Sequence, residues 1–336
     1  MAQTVNPALG GHLLAYSGVP TFMRQTPTRD LRGVDVAIVG VPFDSGATSF
    51  RGGTRFGPRK IREASLALWG HHHIHGVAPT EALTIADYGD VEIEMAYIEK
   101  SMGFITEEVG AALAQGPMVV ALGGDHSISL PLLRAQAATH GPLAVVHFDA
   151  HTDVEPGDYE HGTVFRHAVE EGLIDPAAFI QVGIRGSLYF PDDLNVARRL
   201  GIRVLTIDDC FEMGIPAVVE AIRETVGDRQ TYVTLDIDAA DPAFAPGTGT
   251  PEPGGFSSYQ MLQLMRGLKG LNLVGMDIVE VSPPYDHADI TAALANRVVL
   301  EAVSAIARKR RDAAYGTSWN PATPLLADRH QPRQEP

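Results

Sequence analysis

Short apolar runs rich in β-branched residues recur along the chain, and many of them end in Gly or Asp. Eight such runs begin at residues 34, 83, 118, 143, 178, 203, 231 and 273. Their apolar residues occupy odd and even positions alike, which is typical of strands buried on both faces of a parallel sheet. The pattern therefore predicts eight strands.

Segments with helical character lie between several of these strands, near residues 57, 96, 129, 216 and 257. Alternation of strand and helix is typical of an α/β fold. An eight-stranded βα barrel and an open doubly wound sheet both have this element count, and the pattern does not separate them.

The chain has no evident internal repeat or low-complexity linker, which predicts a single domain over residues 1–336. Residues 1–30 are predicted to form an N-terminal arm, and the Pro-rich residues 312–336 a C-terminal tail. Both are candidates for subunit contacts. The basic run RKRR at 308–311 predicts a solvated helix end.

Composition narrows the range of partners. With 45% hydrophobic residues, the 336-residue chain can bury a substantial core. Its formal net charge of -15 argues against nucleic acid or an anionic membrane as a partner. The same charge suits a small cationic substrate, although many cytosolic enzymes are simply acidic.

The compartment is predicted from what the sequence lacks. A single cysteine, Cys210, excludes an internal disulfide and fits a reducing environment. The N-terminus lacks a basic segment followed by an apolar one, and no window approaches the roughly 20 apolar residues of a membrane span. We therefore expect a soluble, cytoplasmic protein with no membrane partner.

Ionisable side chains follow three of the predicted strands directly. Ligands of parallel sheets bind beyond the carboxyl ends of the strands, so these positions are candidates for a functional site. The i, i+2 spacing within the motifs DAHTD and DID directs their side chains to one face of an extended segment. The candidates are Asp125, His126, Asp149, His151, Asp153, Asp236 and Asp238.

Four carboxylates and two imidazoles in one buried crevice require bound cations, because burial and like charge both oppose ionisation. Carboxylate and imidazole together suit Mn²⁺, with Ni²⁺, Co²⁺ or Zn²⁺ as alternatives, and the absence of thiolates argues against a structural zinc site. Two such ions can lower the pKa of a bridging water toward neutrality. A lone Asp-x-His motif is weak evidence, but three strand ends together predict a dinuclear site.

The motifs GGDHS, DAHTD with a following HGT, and LDIDAADPAFAPGTGTPEPGG resemble the signatures of the ureohydrolase family, the arginases and agmatinases. GVPFDSGATSFRGGTRFGPRKIR, QVGIRGS and GMDIVEVSPPYD are similar to the agmatinase and guanidino-acid hydrolase branch, so the resemblance spans most of residues 20–310. It implies an open, mainly parallel eight-stranded sheet in a three-layer α/β/α fold, not a barrel. It also implies a trimer or hexamer.

The resemblance further implies two Mn²⁺ ions that activate a bridging hydroxide for attack on a guanidinium carbon, with Ni²⁺ as the alternative metal. One ion would be held by His126, Asp149, Asp153 and Asp236, and the other by Asp149, His151, Asp236 and Asp238. Asp149 and Asp236 would bridge, which makes Asp149 a catalytic residue as well as a ligand. All six positions are intact, which argues against the alternative of a non-catalytic subunit in a mixed oligomer with a paralogous subunit.

By the same resemblance, His161 matches the histidine that shuttles a proton to the leaving amine, a role that suits imidazole near neutral pH. Glu280 matches the carboxylate that binds the guanidinium group of the substrate through two parallel hydrogen bonds. Both residues would therefore contact the substrate. Gly247, Gly249 and Thr250 are expected to shape the wall of the site, with Thr250 as a substrate contact.

Other histidines and arginines carry weaker signals. The run HHHIH at 71–75 resembles a metal-binding tract, but the sequence places no carboxylate close by, which favours a loop or interface role. His147 alternates with Asp149 but sits deeper in its strand, which favours packing or support of the ligands. Arg51 and Arg55 are candidates for the pocket mouth, with exposed structural arginines as the equal alternative.

The substrate is predicted less directly than the reaction. The segment VEPGDYE between Asp153 and His161 bears Glu155, Asp158 and Glu160 and no base, which favours a cationic, agmatine-like or compact substrate held by Glu155 and Asp158. Against this, GIRGSLYFPDD and SGVPTFMR are more similar to hydrolases of guanidino acids such as guanidinobutyrate and guanidinopropionate. Guanidine or a biguanide, with nickel, is a further alternative. The lack of an acidic residue in GIRGSLY argues against arginine.

Overall fold

The apolar runs form a single sheet. The computed structural model describes residues 18–44, 51–188 and 191–315. Within them the strands are β1 (Thr26–Pro27), β2 (Val36–Gly40), β3 (Ile85–Asp90), β4 (Met118–Leu122), β5 (Leu143–Phe148), β6 (Ile174–Ile184), β7 (Arg203–Thr206), β8 (Gln230–Asp236) and β9 (Asn272–Val279). Their order is β1-β3-β2-β4-β9-β8-β5-β6-β7, and every pairing is parallel. Because different strands form the two edges, the sheet is open and the barrel alternative is excluded.

Helices lie between most of these strands. They are α1 (Gly57–Ser65), α2 (Pro79–Ala82), α3 (Ile98–Leu113), α4 (Ser129–His140), α5 (Val164–Glu170), α6 (Asp193–Arg199), α7 (Ile207–Met213), α8 (Ile215–Val226), α9 (Ser258–Gly267) and α10 (Ile290–Tyr315). Of these, α1, α3, α4, α8 and α9 match the five predicted helical segments. Parts of the predicted arm (1–17), of the GATSFRGGT loop (45–50), of the GIRGSLYFPDD motif (189–190) and of the predicted tail (316–336) lie outside the described residues.

Both faces of the sheet are covered, which explains why the apolar residues of the strands occupy odd and even positions alike. In β5, Ala144 and Val146 contact one core, and Leu143 and Val145 contact the other, because successive strand residues point to opposite faces. The first core includes residues of α1 and α7 to α10, and the second includes residues of α3 to α6. The three-layer α/β/α prediction is confirmed.

The ninth strand, β1, lies within the segment that the sequence assigns to an N-terminal arm. It pairs with β3 at the sheet edge. Just before it, Phe22 is buried and its N–H donates to Asp87 Oδ2 at 2.7 Å. The same oxygen accepts from Arg62 Nε at 2.9 Å. Residues 22–27 are therefore part of the folded body, although a two-residue strand is too short to produce a detectable pattern.

The final helix, α10, has the length and apolar composition of a membrane span. The expectation that no sequence window approaches such a span is therefore wrong. However, 78% of its most apolar window is buried inside the fold, where it packs on α1, α2 and α9. Among the described residues it is the one helix that meets these criteria, and its burial is that of a core helix. It also extends the fold to Tyr315, past the predicted start of the tail.

The basic run at 308–311 lies near the end of α10 and is only partly solvated. Arg311 is 8% exposed, and its Nη1 donates to the carbonyl of Gly76 at 2.6 Å. Arg308 Nη1 donates to the carbonyl of His75 at 3.1 Å. The prediction of a solvated helix end is wrong for these two arginines, because both fasten the segment before β3 onto α10.

Candidate metal centre

The sheet order brings the charged strand ends together. Strands β4, β9, β8 and β5 are neighbours, so the residues that follow them meet at one edge. The turn after β4 passes so close to the segment at 41–44 that a Cβ at Gly124 would collide with the carbonyl of Phe43. Asp125 then caps the turn that carries His126, because its carboxylate accepts from the N–H of Ser127 at 3.1 Å. Asp125 thus has a structural role.

The first ligand group surrounds His126 Nδ1. This nitrogen lies 2.9 Å from Asp153 Oδ2, 3.2 Å from Asp149 Oδ2 and 3.3 Å from Asp236 Oδ2. It has no hydrogen-bond partner within the described residues, and all four side chains are buried. His126 Nε2 lies 3.0 Å from Thr234 Oγ1, a contact that can hold the other ring proton. An orphaned imidazole nitrogen among three carboxylate oxygens fits a divalent cation.

The second ligand group surrounds His151 Nδ1, which lies 3.1 Å from Asp238 Oδ2 and 3.3 Å from Asp149 Oδ1. Asp149 therefore directs Oδ2 to the first group and Oδ1 to the second. Asp236 directs Oδ2 to His126, and its Oδ1 accepts from the N–H of Asp238 at 2.8 Å. The structure thus brings all six predicted ligands into one cluster.

The electrostatics of this cluster favour cations. Burial, followed by the carboxylates of Asp238 and Asp149, raises the pKa of Asp236 well above its ordinary value. Burial opposes charge on His126, but contacts with Asp149, Asp153 and Asp236 outweigh it and raise the pKa of the imidazole. Without a cation, the buried negative charge favours protonation of Asp236 and His126. A bound divalent cation would take the place of these protons.

Glu280 and His161 lie beside the first ligand group. Glu280 follows β9, is 1% exposed, and its Oε1 accepts from the N–H of His126 at 2.9 Å. His161 Nδ1 lies 3.6 Å from the same Oε1, and its side chain is 22% exposed. Burial lowers the pKa of His161, but Glu280, Asp153 and Asp125 outweigh it and raise the pKa to about 9.

The predicted wall residues contact the ligands or the loop after Glu280. Thr250 Oγ1 donates to Asp238 Oδ2 at 3.1 Å, so this side chain steadies a ligand. The carbonyl of Gly247 accepts from the N–H of Ser282 at 2.7 Å, and a Cβ at Gly247 would lie 2.7 Å from Asp286 Cβ. Gly247 is therefore a close-approach position.

The two acidic residues predicted to hold substrate differ in placement. Glu155 is half-buried and near Gly162, where a Cβ would lie 3.0 Å from its Oε2. Asp158 is exposed and lines a surface cavity of about 690 Å³ with Tyr97 and Lys100 among others. The roles assigned to Glu155 and Asp158 stay predictions.

Three polar residues around the cluster were not identified from the sequence. Thr234 contacts His126, as described above. Asp277, fully buried in β9, accepts from Ser129 Oγ and Tyr232 OH, both at 2.8 Å. Arg185 donates to the carbonyls of Asp238 at 2.7 Å and Glu252 at 2.6 Å, so it fastens the segment that carries Asp238. The available signal was a polar residue inside an otherwise apolar strand, as Thr234 and Asp277 are.

A second histidine cluster, the histidine clamp, consists of His72, His75, Glu301 and Arg266. Glu301 Oε2 lies 3.1 Å from His72 Nε2 and 3.0 Å from His75 Nε2, and its Oε1 accepts from Arg266 Nη2 at 2.6 Å. The expectation that no carboxylate lies near the histidine run is therefore wrong, because Glu301 of α10 folds back onto it. The N–H of His75 donates to His72 Nδ1 at 3.2 Å, so neutral His72 carries its proton on Nε2. The cluster is satisfied by hydrogen bonds and a salt bridge without a cation.

An open parallel sheet in three α/β/α layers, with a buried carboxylate–imidazole cluster at the carboxyl ends of its strands, is typical of metal-dependent hydrolases. The model of the arginase family matches residues 34–304, so the chain belongs to the arginase family. It is 44% identical to the proclavaminate amidinohydrolase of Streptomyces clavuligerus over 300 residues, covering 88% of this chain and 96% of that protein. The solved structure of that enzyme superposes with a TM-score of 0.84 over 88% of this chain and 99% of the other.

Two further relatives act on guanidino compounds according to their names. The guanidinopropionase of Pseudomonas aeruginosa is 44% identical, covering 87% of this chain and 93% of its own. The agmatinase of Chromobacterium violaceum is 43% identical, covering 88% and 91%. The predicted ureohydrolase class and arginase-like fold are confirmed, with a nine-stranded sheet in place of eight strands.

Proposed function

We propose that this protein hydrolyses a C–N bond in the guanidino group of a small guanidino compound, releasing urea and an amine. The observation that carries the proposal is the division of Asp149 between two ligand groups, with Oδ2 3.2 Å from His126 Nδ1 and Oδ1 3.3 Å from His151 Nδ1. A carboxylate shared in this way is expected of a two-cation site in which the ions lie about 3.5–4 Å apart.

Two Mn²⁺ ions are the proposed cofactor, with Ni²⁺ as the alternative, because the donors are carboxylates and imidazoles without a thiolate. When bound, the cations would supply a water activated for attack at neutral pH. The residues that would hold them are His126, Asp149, His151, Asp153, Asp236 and Asp238.

Glu280 is the proposed guanidinium receptor. Its carboxylate is almost fully buried and is fixed at Oε1 by the N–H of His126, 2.9 Å away. A buried carboxylate beside the ligand groups can accept hydrogen bonds from a planar guanidinium and neutralise its charge. This contact would orient the guanidino carbon toward the cluster.

His161 is the proposed proton donor. With a pKa of about 9, its imidazole is protonated at neutral pH. The ring lies next to Glu280, and its partial exposure leaves it accessible to solvent and to a small substrate. It can therefore deliver a proton to the departing amine nitrogen while the carbon acquires the oxygen of water.

Agmatine, a guanidino compound with a second cationic group, is the first substrate candidate. Three acidic residues and no base lie in the segment between Asp153 and His161, and the chain as a whole has a net charge of -15. Both features favour a cationic substrate over an anionic one. The agmatinase of Chromobacterium violaceum, at 43% identity, supports this candidate.

A guanidino acid is the second candidate, and the position of Arg51 favours it. Arg51 Cζ lies 5.3 Å from the ring centroid of Tyr285. Ser282 Oγ also donates to the carbonyl of Gly52 at 3.3 Å, so this arginine packs on the loop that follows Glu280. A base there can receive the carboxylate of guanidinopropionate or guanidinobutyrate, which the name of the Pseudomonas aeruginosa relative also supports.

The test is urea release after loading with Mn²⁺ or with Ni²⁺, using agmatine, guanidinobutyrate, guanidinopropionate, guanidine and a biguanide. We expect urea from agmatine or from one of the two guanidino acids. The matched control, Asp149→Asn, should lose urea release and bound metal together. Absence of urea from all five compounds with either metal would refute the proposed function.

The proposed assembly is a homo-oligomer, a trimer or hexamer. Exposed large apolar side chains support it, among them Trp69 at 84% and Met95 at 72% exposure. Sedimentation velocity should give a mass of three or six times 36.0 kDa. A monomer at micromolar concentration would contradict this proposal.

A further inference from the structure

His147 lies in β5, two residues before Asp149, and its side chain is fully buried. Its Nε2 lies 2.7 Å from Asp149 Oδ2, and its Nδ1 lies 3.2 Å from Gln181 Nε2. Gln181 is its register partner in β6, so the contact is set by strand pairing. His147 therefore lies between a residue of the neighbouring strand and the carboxylate shared by the two ligand groups.

The proton of His147 can be placed from these contacts. Gln181 Nε2 lies 2.6 Å from the carbonyl of Thr152, which can only accept, so this amide atom is the nitrogen. The amide nitrogen also faces His147 Nδ1, which must then accept. The ring proton is therefore on Nε2 and is donated to Asp149 Oδ2.

A nitrogen that carries a proton cannot ligate a cation. His147 comes within ligand distance of His126, Asp149 and Asp153, but its tautomer excludes it from their ligand set. The ring also packs on Phe165, with centroids 4.3 Å apart, and this apolar contact strengthens the hydrogen bond to Asp149 by excluding water.

The two oxygens of Asp149 are held by different kinds of donor. Oδ1 accepts from the backbone N–H of His151 at 2.6 Å, a donor that a substitution at His147 leaves in place. Oδ2 accepts from the side chain of His147 and faces the first ligand group. A change at His147 therefore acts on one side of the shared carboxylate.

We propose that His147 is a positioning residue that holds Asp149 Oδ2 toward the first ligand group and so sets the affinity of that group for its cation. The proposal rests on the proposed two-cation function and deepens it. The binding affinity of the cation at His126 depends on His147, whereas that of the cation at His151 does not.

The test is Mn²⁺ titration of the full chain stripped of metal, followed by calorimetry and by electron paramagnetic resonance of unbound Mn²⁺. His147→Phe keeps a flat aromatic ring and removes the donor. We expect one of the two binding steps to weaken by about 10–100-fold, the usual range for loss of a residue that orients a ligand, and the other to stay within about twofold. His147→Gln can place an amide N–H near the position of Nε2 and should restore most of the affinity.

Activity gives a second readout with a distinct signature. In saturating Mn²⁺ the His147→Phe variant should regain most of its kcat, with KM unchanged, because the substrate contacts are intact. Two binding steps with wild-type affinities in His147→Phe would overturn the proposal. A His147→Gln variant as weak as His147→Phe would overturn it as well, because the hydrogen bond would then not be the cause.

Gln181→Met tests the same contact if His147→Phe does not fold. It removes the donor to Nδ1, allows the other tautomer, and should weaken the same binding step severalfold. Unchanged binding would contradict the tautomer argument. The wild-type protein separates this inference from the proposed function. If the wild type binds no pair of Mn²⁺ ions and releases no urea, the proposed function is refuted. If His147→Phe and Gln181→Met both bind Mn²⁺ as the wild type does, only the role of His147 is refuted.

Discussion

Asp153 and Glu280 hold their backbones in the left-handed region, at φ 50° and 62°. A non-glycine residue in this region costs about 1–3 kcal/mol and persists only where surrounding contacts enforce it. At Glu280 those contacts are its N–H, which donates to the carbonyl of Gly124 at 2.8 Å, and its carboxylate, which accepts from His126. In this backbone conformation the carboxylate lies beside the first ligand group.

Glu280→Gln is the sharpest single-residue test of the guanidinium contact. The amide oxygen can still accept from the N–H of His126, so the backbone geometry should survive while the negative charge is lost. We expect kcat/KM to fall by roughly 10–150-fold, equivalent to about 1.5–3 kcal/mol for a hydrogen bond to a charged group. Steady-state kinetics with metal analysis checks this. An unchanged kcat/KM would exclude Glu280 as the receptor.

Arg51→Gln distinguishes the two substrate candidates. If Arg51 receives a substrate carboxylate, the substitution should lower kcat/KM for guanidinobutyrate about tenfold or more relative to agmatine, because only the acid carries that group. Arg55→Gln is the matched control, since Arg55 is 43% exposed and pairs with Asp44 Oδ2 at 3.3 Å. An equal effect of Arg51→Gln on both substrates would remove the support for a guanidino acid.

At the scale of elements, the histidine clamp fastens α10 and α9 to the segment before β3. Glu301 is fully buried, and Arg266 donates to it through two nitrogens at 2.6 and 2.9 Å. Glu301→Gln leaves the arginine charge without its counter-ion, and loss of one partner of a buried pair costs about 3–5 kcal/mol. Urea unfolding should detect this loss. Glu224→Gln, in an exposed pair with Arg203, should change stability little, and equal effects would contradict the clamp.

The clamp also predicts how stability depends on acid pH. Burial opposes the charge of Glu301, but His72, His75 and Arg266 outweigh it and hold the pKa of its carboxyl well below the ordinary 4.5. A depressed folded-state pKa contributes stability above pH 4.5 that is lost as the pH falls. The stability difference between wild type and Glu301→Gln should therefore narrow below pH 4.5. Urea unfolding of both proteins at pH 7, 5, 4 and 3 measures this difference. A difference that does not change with pH would contradict the role of the ionised Glu301 carboxylate.

Features encoded by neighbouring residues could be predicted from the sequence, whereas contacts between residues far apart in the chain could not. The eight longer strands and the ligands at their ends follow from local patterns, since i, i+2 spacing fixes a common face and parallel order brings strand ends together. The clamp joins His75 to Glu301, 226 residues away, and no local pattern encodes that contact. Helix α10 was predicted only through its basic end at 308–311, because the contacts that bury the rest of it are with α1, α2 and α9, which no local pattern encodes. The substrate stayed open because it depends on loops, whose side-chain directions no periodicity fixes.

At the scale of the whole molecule, the ligand cluster is a concentration of buried charge that the fold must tolerate. Asp149, Asp153, Asp236 and Asp238 are each at most 5% exposed. Their mutual repulsion opposes folding in the absence of cations, whereas cations that bind only the folded chain stabilise it. Metal occupancy and global stability should therefore be coupled.

Removal of metal by a chelator tests this coupling. Each cation at a hundredfold excess over its Kd contributes about 2.7 kcal/mol, so two ions should raise the melting temperature by roughly 5–10 °C. We expect chelated protein to lose urea release and melt earlier, and added Mn²⁺ to restore both. Asp149→Asn, which removes the shared charge, should show little Mn²⁺-dependent shift in calorimetry. A wild type whose melting temperature does not respond to Mn²⁺ would mean that these carboxylates do not hold cations in the folded protein.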